Sequence, residues 1–124
     1  TLERFFEEGG AHATIEEVSM PDVARLREED DVAVVDVRYA SEYASGHVPG
    51  AINASYTRLP EYAEARLPEG KRLVIHCASG ARSAAASAWL ARAGHDVTYV
   101  NGLFGTYREV GEVEKGPAAE PELA

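Results

Sequence analysis

The sequence predicts an α/β domain with about five mostly parallel strands and helices on both faces of the sheet. Two short apolar runs, at residues 32–37 and 72–77, carry this prediction. Neither run alternates cleanly between apolar and polar residues, and both are rich in β-branched residues, as strands buried on both faces are. Segments with helical spacing lie between the predicted strands. Strands that alternate with helices are typical of right-handed βαβ units in a parallel sheet.

The first half of the chain carries signals for four further elements. A short opening strand is expected at residues 13–15. A helix is expected after Ser19, because a capping serine followed three positions later by an acid, here Asp22, is typical of a helix N-terminus. Beyond the first apolar run, a short strand is expected near 51–53 and a helix over 57–67.

The second half of the chain predicts one long helix and a last strand. The second apolar run leads into an alanine-rich segment over 83–93, whose composition has a high helix propensity. Gly94 ends this helix at a position where a left-handed backbone is favoured. The β-branched segment 97–100 predicts the last strand.

The length of 124 residues fits one ordinary domain, which can bury a core without disulfides or metal. We place this domain at 13–110, after an N-terminal extension or linker over 1–12. The segment 111–124 is acidic and rich in Pro and Ala, and we expect it to be flexible.

Charge and composition exclude several classes of partner. The chain has 21 acidic and 12 basic residues, a net charge of −9, and no cluster of basic residues, so nucleic acid is not expected to bind. No apolar run approaches the roughly 20 residues of a membrane helix, so no membrane partner is expected. The single cysteine excludes an intramolecular disulfide, and the four histidines lack metal-ligand spacing. We therefore predict neither a metal nor a cofactor.

The single cysteine, Cys77, lies where a thiolate would be stabilised. It ends a buried strand, and a short loop with Gly80 and Arg82 separates it from the alanine-rich helix. Ligands of parallel sheets bind at the carboxyl ends of strands, and a helix N-terminus there presents backbone N–H groups and a positive dipole end. These features favour a nucleophilic thiolate over a buried inert thiol. Gly80 supplies the backbone freedom of a tight loop, and Arg82 adds a cation suited to an oxyanion.

Three ordered motifs resemble the rhodanese family of sulfurtransferases. The loop CASGARS at 77–83 is similar to the family's Cys-x-x-Gly-x-Arg loop, and DVRYASEYASGHVPGAIN at 36–53 resembles its upstream signature. The segment 99–107 is similar to the closing Gly-Gly-x-x-x-Trp segment, but it has Leu103 in place of the second glycine and Tyr107 in place of the tryptophan. The resemblance covers about residues 13–110.

The resemblance implies a single rhodanese-like domain that transfers a sulfane sulfur. In this family the loop cysteine, here Cys77, takes a sulfur from thiosulfate or a related persulfide donor and passes it from a persulfide to cyanide or a thiol. Protein thiols are further candidate acceptors. We expect Arg82 to dock the anionic donor. The loop amides are expected to hold the charged sulfur; they belong to Ala78, Ser79, Gly80, Ala81, Arg82 and Ser83. A lone reactive thiol suits the reducing cytoplasm, where we expect this domain.

Other polar residues of the motifs are expected to serve structure. Asp36 and Arg38 are expected to pair and brace the loop from behind it, and His47 to stabilise its own loop by a hydrogen bond. His76 precedes Cys77 on an extended strand, so its side chain is expected to point away from that of Cys77. Arg58 is expected on a solvated helix surface. Three aromatic residues are expected to serve packing: Trp89, Phe104 and Tyr107.

Two alternative functions stay open. Cysteine-dependent phosphatases and arsenate reductases have a similar fold but a Cys-x5-Arg loop, whereas Cys77 and Arg82 form the shorter Cys-x4-Arg, a ring better matched to one sulfur atom. The sequence also offers no loop acid to protonate an alcohol leaving group. The second alternative is a sulfur-relay or binding domain excised from a larger fusion protein.

Overall fold

The computed structural model describes residues 15–117, which form an α/β domain around one parallel sheet. All neighbouring strands pair in parallel, and their order is β1-β5-β4-β2-β3. The fold class is as the sequence predicts. The strands are β1 (Glu16–Ser19), β2 (Val32–Asp36), β3 (Ile52–Asn53), β4 (Arg72–His76) and β5 (Val97–Asn101).

Helices cover both faces of this sheet. The α-helices are α1 (Val23–Leu26), α2 (Ala40–Ser45), α3 (Leu59–Arg66) and α4 (Ala81–Arg92). Three 3-10 segments join them at Met20–Asp22, Tyr56–Arg58 and Phe104–Glu109. No helix within residues 15–117 is long and apolar enough to cross a membrane.

The two faces of the sheet bury separate apolar clusters. Leu73 and Ile75 of β4 belong to the cluster that also contains Leu90 of α4 and Leu59 of α3. Val74, between them in sequence, belongs to the opposite cluster, which also contains the α1 residues Val23 and Leu26 and the α2 residue Tyr43. Because successive side chains point to opposite faces, a strand covered on both faces is apolar throughout. This is why the apolar runs of β2 and β4 do not alternate.

The opening strand lies later than the sequence predicts. It occupies Glu16–Ser19 rather than residues 13–15, of which 13 and 14 lie outside the described residues. Within residues 15–117, β1 is an edge strand that pairs only with β5, and three of its four residues are exposed. Backbone pairing therefore fixes the position of β1. Its exposed side chains give little apolar pattern from which the sequence could predict the strand. After it, the Ser19 N–H donates to the Asp22 carboxylate over 2.9 Å, as the capping pattern predicts.

The described part of the segment after residue 110 is joined to the domain by backbone hydrogen bonds. The backbones of His47 and Glu114 exchange two hydrogen bonds of 2.8 Å, and the Gly116 N–H donates to the Ala44 carbonyl over 2.9 Å. Val113 packs against the apolar cluster nearby. The remainder of that tail and the expected extension over 1–12 lie outside the described residues.

Candidate active site

Cys77 lies at the carboxyl edge of the sheet, directly after the central strand β4. The chain then turns through Ala78, Ser79 and Gly80 and enters α4 at Ala81. Because β4 lies between β5 and β2, the loop is surrounded by the ends of its neighbours. Only 2% of Cys77 is exposed. The sulfur atom is therefore held inside the loop.

Three polar groups of the loop surround the Cys77 sulfur. The Gly80 N–H donates to Sγ over 3.1 Å, and the Ser83 N–H donates over 3.3 Å. The Ser83 hydroxyl oxygen lies 3.4 Å from Sγ. That hydroxyl also lies 3.1 Å from the Gly80 carbonyl and 3.3 Å from the Val100 carbonyl. Its single proton can turn toward the sulfur when the thiol loses its own proton.

These contacts determine the protonation of Cys77. Burial raises the pKa of the thiol, since desolvation disfavours a thiolate. Hydrogen bonds from the side chain and backbone of Ser83 and from the backbones of Ser79 and Gly80 favour the thiolate and outweigh burial, so the pKa is lowered overall. The loop therefore favours the thiolate form of a sulfur that is both desolvated and hydrogen-bonded.

Gly80 has the backbone conformation that this loop requires. Its φ is +108°, in the left-handed region that favours glycine. A Cβ at this position would lie 3.0 Å from Asn101 Oδ1 and 3.1 Å from Tyr99 Oη. The Tyr99 hydroxyl of β5 donates to the Gly80 carbonyl over 3.2 Å and so fixes the turn.

Asp36 and Arg38 form a buried ion pair behind the loop, as the sequence predicts. Arg38 Nη2 lies 2.7 Å from Asp36 Oδ2 and donates to the Gly46 carbonyl over 2.7 Å. The Arg38 guanidinium lies 4.1 Å above the Phe104 ring centre, and the Phe104 N–H donates to the Ala78 carbonyl over 2.8 Å. The pair thus contacts the loop through Phe104, at a distance from the sulfur.

Neither histidine near the motifs points to the sulfur. His76 is fully buried and its Nδ1 donates to the Cys77 carbonyl over 3.3 Å. Burial lowers its pKa, with the nearby Asp36 carboxylate opposing the shift, so the ring is neutral. His47 stacks on Tyr43 and places Nδ1 2.8 Å from the Tyr43 carbonyl. Both contacts are structural ones.

Arg82 lies at the loop with its guanidinium already paired. Its Nη1 and Nη2 atoms donate to the two oxygens of Glu42 over 2.7 and 3.1 Å. The same carboxylate accepts the Tyr39 N–H over 3.0 Å. The hydrogen bond from Arg82 lowers the pKa of Glu42 most, while partial burial opposes that shift. The sequence prediction missed Glu42: it stands in the upstream motif, but its 40-residue separation from Arg82 hides the contact.

An apolar groove of about 620 Å³ begins beside the loop at Ala81. It lies along α4 and is closed on the other side by residues 56–60. Trp89 is 41% exposed and packs along this groove, whereas Phe104 and Tyr107 are buried. The lining residues are Tyr56, Leu59, Pro60, Ala81, Ala84, Ala85, Ala88, Trp89 and Arg92.

Arg58 is half exposed and forms an ion pair with Glu61 one helical turn away, as expected for a surface helix residue. Across residues 15–117, no group of three or more His, Cys, Asp or Glu side chains is arranged to hold a metal ion.

The fold and the loop together define an α/β domain that carries a cysteine in an amide-lined anion loop at the carboxyl edge of its sheet. The family model of the rhodanese-like domain matches residues 19–108. This chain therefore belongs to the rhodanese-like domain family.

This chain is similar to one part of a longer known protein. It is 32% identical over 102 residues to the tRNA uridine(34) hydroxylase of Staphylococcus aureus, covering 77% of this chain and 32% of that protein. The chain thus spans about a third of the length of the curated relatives it matches.

Solved structures of similar size share the fold. A rhodanese-related protein from Thermoplasma volcanium has a TM-score of 0.70 and 28% identity, with 80% of this chain and 97% of that one covered. A Rhodopseudomonas palustris protein of unknown function, named a possible tyrosine phosphatase, has a TM-score of 0.69 and 27% identity, with 90% and 92% covered.

Proposed function

We propose that this domain is a sulfurtransferase, which moves a sulfane sulfur from thiosulfate or a related persulfide donor to a thiophilic acceptor through a Cys77 persulfide. One observation carries the proposal. The Cys77 sulfur is enclosed by the N–H groups of Gly80 and Ser83, at 3.1 and 3.3 Å, and by the Ser83 hydroxyl. Such a cradle stabilises an anionic sulfur without a general base.

The reaction divides into two displacements at sulfur. The Cys77 thiolate attacks the outer sulfur of the donor, a new S–S bond forms, and the bond to the leaving group breaks with its electron pair. With thiosulfate the leaving group is sulfite. The persulfide then carries the negative charge on its terminal sulfur, next to the loop amides. Cyanide or a thiolate attacks that sulfur, and Cys77 leaves as the thiolate that began the cycle.

The remaining loop residues are proposed to bind the donor. Arg82 lies five residues after Cys77, beside the opening of the loop, and carries a permanent positive charge. The backbones of Ala78, Ser79 and Ala81 complete the loop around the sulfur. Small side chains at these positions leave room for an incoming donor or acceptor, which can be a small thiol, cyanide or a protein thiol. We propose the reducing cytoplasm as the compartment, since a lone low-pKa thiol persists there.

A second candidate is supported by the size of the curated relatives. Since this domain matches only 32% of the tRNA uridine(34) hydroxylase, related domains are parts of longer chains. As part of such a protein, the domain would relay sulfur to a neighbouring domain or bind a partner. The retained Cys77 favours relay over a purely binding role.

Thiocyanate formation from thiosulfate and cyanide tests the proposed function. We expect wild type to release thiocyanate and sulfite in equal amounts, and Cys77→Ser to release neither. A phosphate ester assayed in parallel tests the activity that the name of the Rhodopseudomonas palustris protein mentions. Phosphate release by wild type and not by Cys77→Ser, without any thiocyanate, would replace the sulfurtransferase proposal with a phosphatase.

A further inference from the structure

The geometry points to Glu42 as a residue that determines which sulfur donors the loop accepts. We propose that Glu42 neutralises Arg82 and thereby disfavours dianionic donors such as thiosulfate relative to donors with less negative charge. The inference rests on the proposed function, since it concerns the donor step of the same site.

The contacts between Glu42 and Arg82 are those of a fixed pair. Two parallel hydrogen bonds of 2.7 and 3.1 Å join the carboxylate to the guanidinium, an arrangement with more strength and geometric specificity than a single contact. The two side chains are 32% and 26% exposed, so water screens them only in part. Tyr39 holds both partners, because its N–H donates to Glu42 and its ring lies 5.2 Å from the Arg82 guanidinium carbon.

This pairing changes the electrostatic environment of an anionic donor at the loop. Both terminal nitrogen atoms of Arg82 already donate to a carboxylate, and the charge of that carboxylate offsets the charge of the guanidinium. The Cys77 thiolate adds a further negative charge at the loop. The formal charges of Arg82, Glu42 and the Cys77 thiolate then sum to −1 at the opening of the loop. Coulomb repulsion from this charge increases with the charge of the donor.

Two small donors differ in charge but transfer sulfur by the same reaction. Thiosulfate is a dianion, and its outer sulfur transfers to the Cys77 thiolate with release of sulfite. Methanethiosulfonate, CH3SO2S⁻, is a monoanion, and its outer sulfur transfers in the same way with release of methanesulfinate. Each reaction forms one S–S bond, breaks one, and leaves the same Cys77 persulfide. The two donors therefore differ chiefly in the charge that Glu42 opposes.

Glu42→Gln tests the inference in single-turnover measurements of persulfide formation. Glutamine keeps one oxygen to accept from Tyr39 or Arg82 but removes the charge. We expect the second-order rate constant to rise about tenfold for thiosulfate and about threefold for methanethiosulfonate, since the logarithm of the effect scales with donor charge. Glu29→Gln is the matched control. It removes an acid that pairs with Arg25 beyond the opposite edge of the sheet, and we expect it to change neither rate by more than about twofold.

The outcomes separate the inference from the function on which it rests. Equal changes for both donors, or an equal gain with the charge-conserving variant Glu42→Asp, would overturn the role of charge while leaving the sulfurtransferase proposal intact. Failure of wild type to form the persulfide with either donor would overturn the function itself.

A measurement on wild type covers the case in which the Glu42 variants do not fold. Raising the ionic strength from about 20 to 200 mM screens repulsion, so we expect thiosulfate to react faster with added salt, and by more than methanethiosulfonate does. A thiosulfate rate that falls with salt would mean that an unneutralised cation attracts the donor, and would contradict the inference.

Discussion

At the scale of single residues, the chemistry of Cys77 depends on a balance between burial and hydrogen bonding. The thiol is almost completely buried, which by itself would make it an inert hydrophobic residue. Ser83 reverses this effect, because it contributes both a backbone N–H and a hydroxyl to the sulfur. Ser83, six residues later in the chain, therefore contributes most to the lowered pKa of the thiol, and the backbones of Ser79 and Gly80 add to it.

Removing the Ser83 hydroxyl should weaken the thiolate. We expect Ser83→Ala to raise the pKa of Cys77 and to lower its alkylation rate by iodoacetamide at neutral pH about tenfold, because a hydrogen bond to a charged group is worth about 1.5–3 kcal/mol. Ser87→Ala is the control: Ser87 lies one turn later on α4, and its hydroxyl has no hydrogen-bond partner in the described part of the chain. Equal rates for wild type and Ser83→Ala across the pH range would refute this role of the hydroxyl.

At the scale of elements, the Asp36–Arg38 pair holds the end of β2 to the end of α2. Asp36 is the last residue of β2, and Arg38 reaches from the following turn to both this carboxylate and the Gly46 carbonyl. Both side chains are buried. A buried carboxylate is tolerated because the guanidinium and the Arg38 N–H pair with it.

Removing Arg38 should destabilise the fold strongly. Arg38→Met leaves a buried carboxylate without its cation, and we expect the free energy of unfolding in urea to fall by about 3–5 kcal/mol. Arg25→Met removes a cation from the exposed pair with Glu29 and should change it by about 1 kcal/mol or less. If both variants were equally stable, the buried pair would have no structural role.

The two sides of α4 should respond differently to truncation. Leu90 is fully buried against the sheet, so Leu90→Ala should lower the free energy of unfolding by about 2–5 kcal/mol. Trp89 is adjacent in sequence but lines the open groove, so Trp89→Ala should lower it by about 1 kcal/mol or less. Thermal or urea unfolding of the two variants measures the difference, and a larger loss for Trp89→Ala would contradict the assigned orientation of the helix.

At the scale of the whole molecule, the lowered pKa of Cys77 links stability to pH. Between the pKa of the folded protein and the ordinary thiol value of about 8.5, the folded thiol is ionised while the unfolded thiol is protonated. The stabilisation of the folded state by the hydrogen-bonded thiolate is therefore complete above about pH 8.5. It is lost as the pH falls through the pKa of Cys77 in the folded protein. We expect the difference in unfolding free energy between wild type and Cys77→Ala to grow as the pH rises toward 8.5. Urea unfolding with reductant measures it, and a difference that shrinks with pH would contradict the lowered pKa.

The sequence predicts the features that depend on local patterns. The apolar runs of β2 and β4 identify the sheet, and the turn at Gly80 before an alanine-rich helix identifies the loop. Three features could not be predicted from the sequence because their causes are not local. β1 is fixed by pairing with β5, Trp89 is placed by the rotation of α4, and the Glu42–Arg82 pair joins residues 40 positions apart. Short helices such as α2, with six residues, also leave too little periodicity to detect.

The central claim is that Cys77 carries sulfur as a persulfide inside its loop. Intact-protein mass spectrometry after incubation with thiosulfate, without reductant, tests it most directly. We expect wild type to gain the mass of one sulfur atom and to lose it on addition of cyanide, with thiocyanate released, while Cys77→Ser gains nothing. Wild type that gains no sulfur from thiosulfate or from an organic persulfide, although its Cys77 is still alkylated, would contradict the claim.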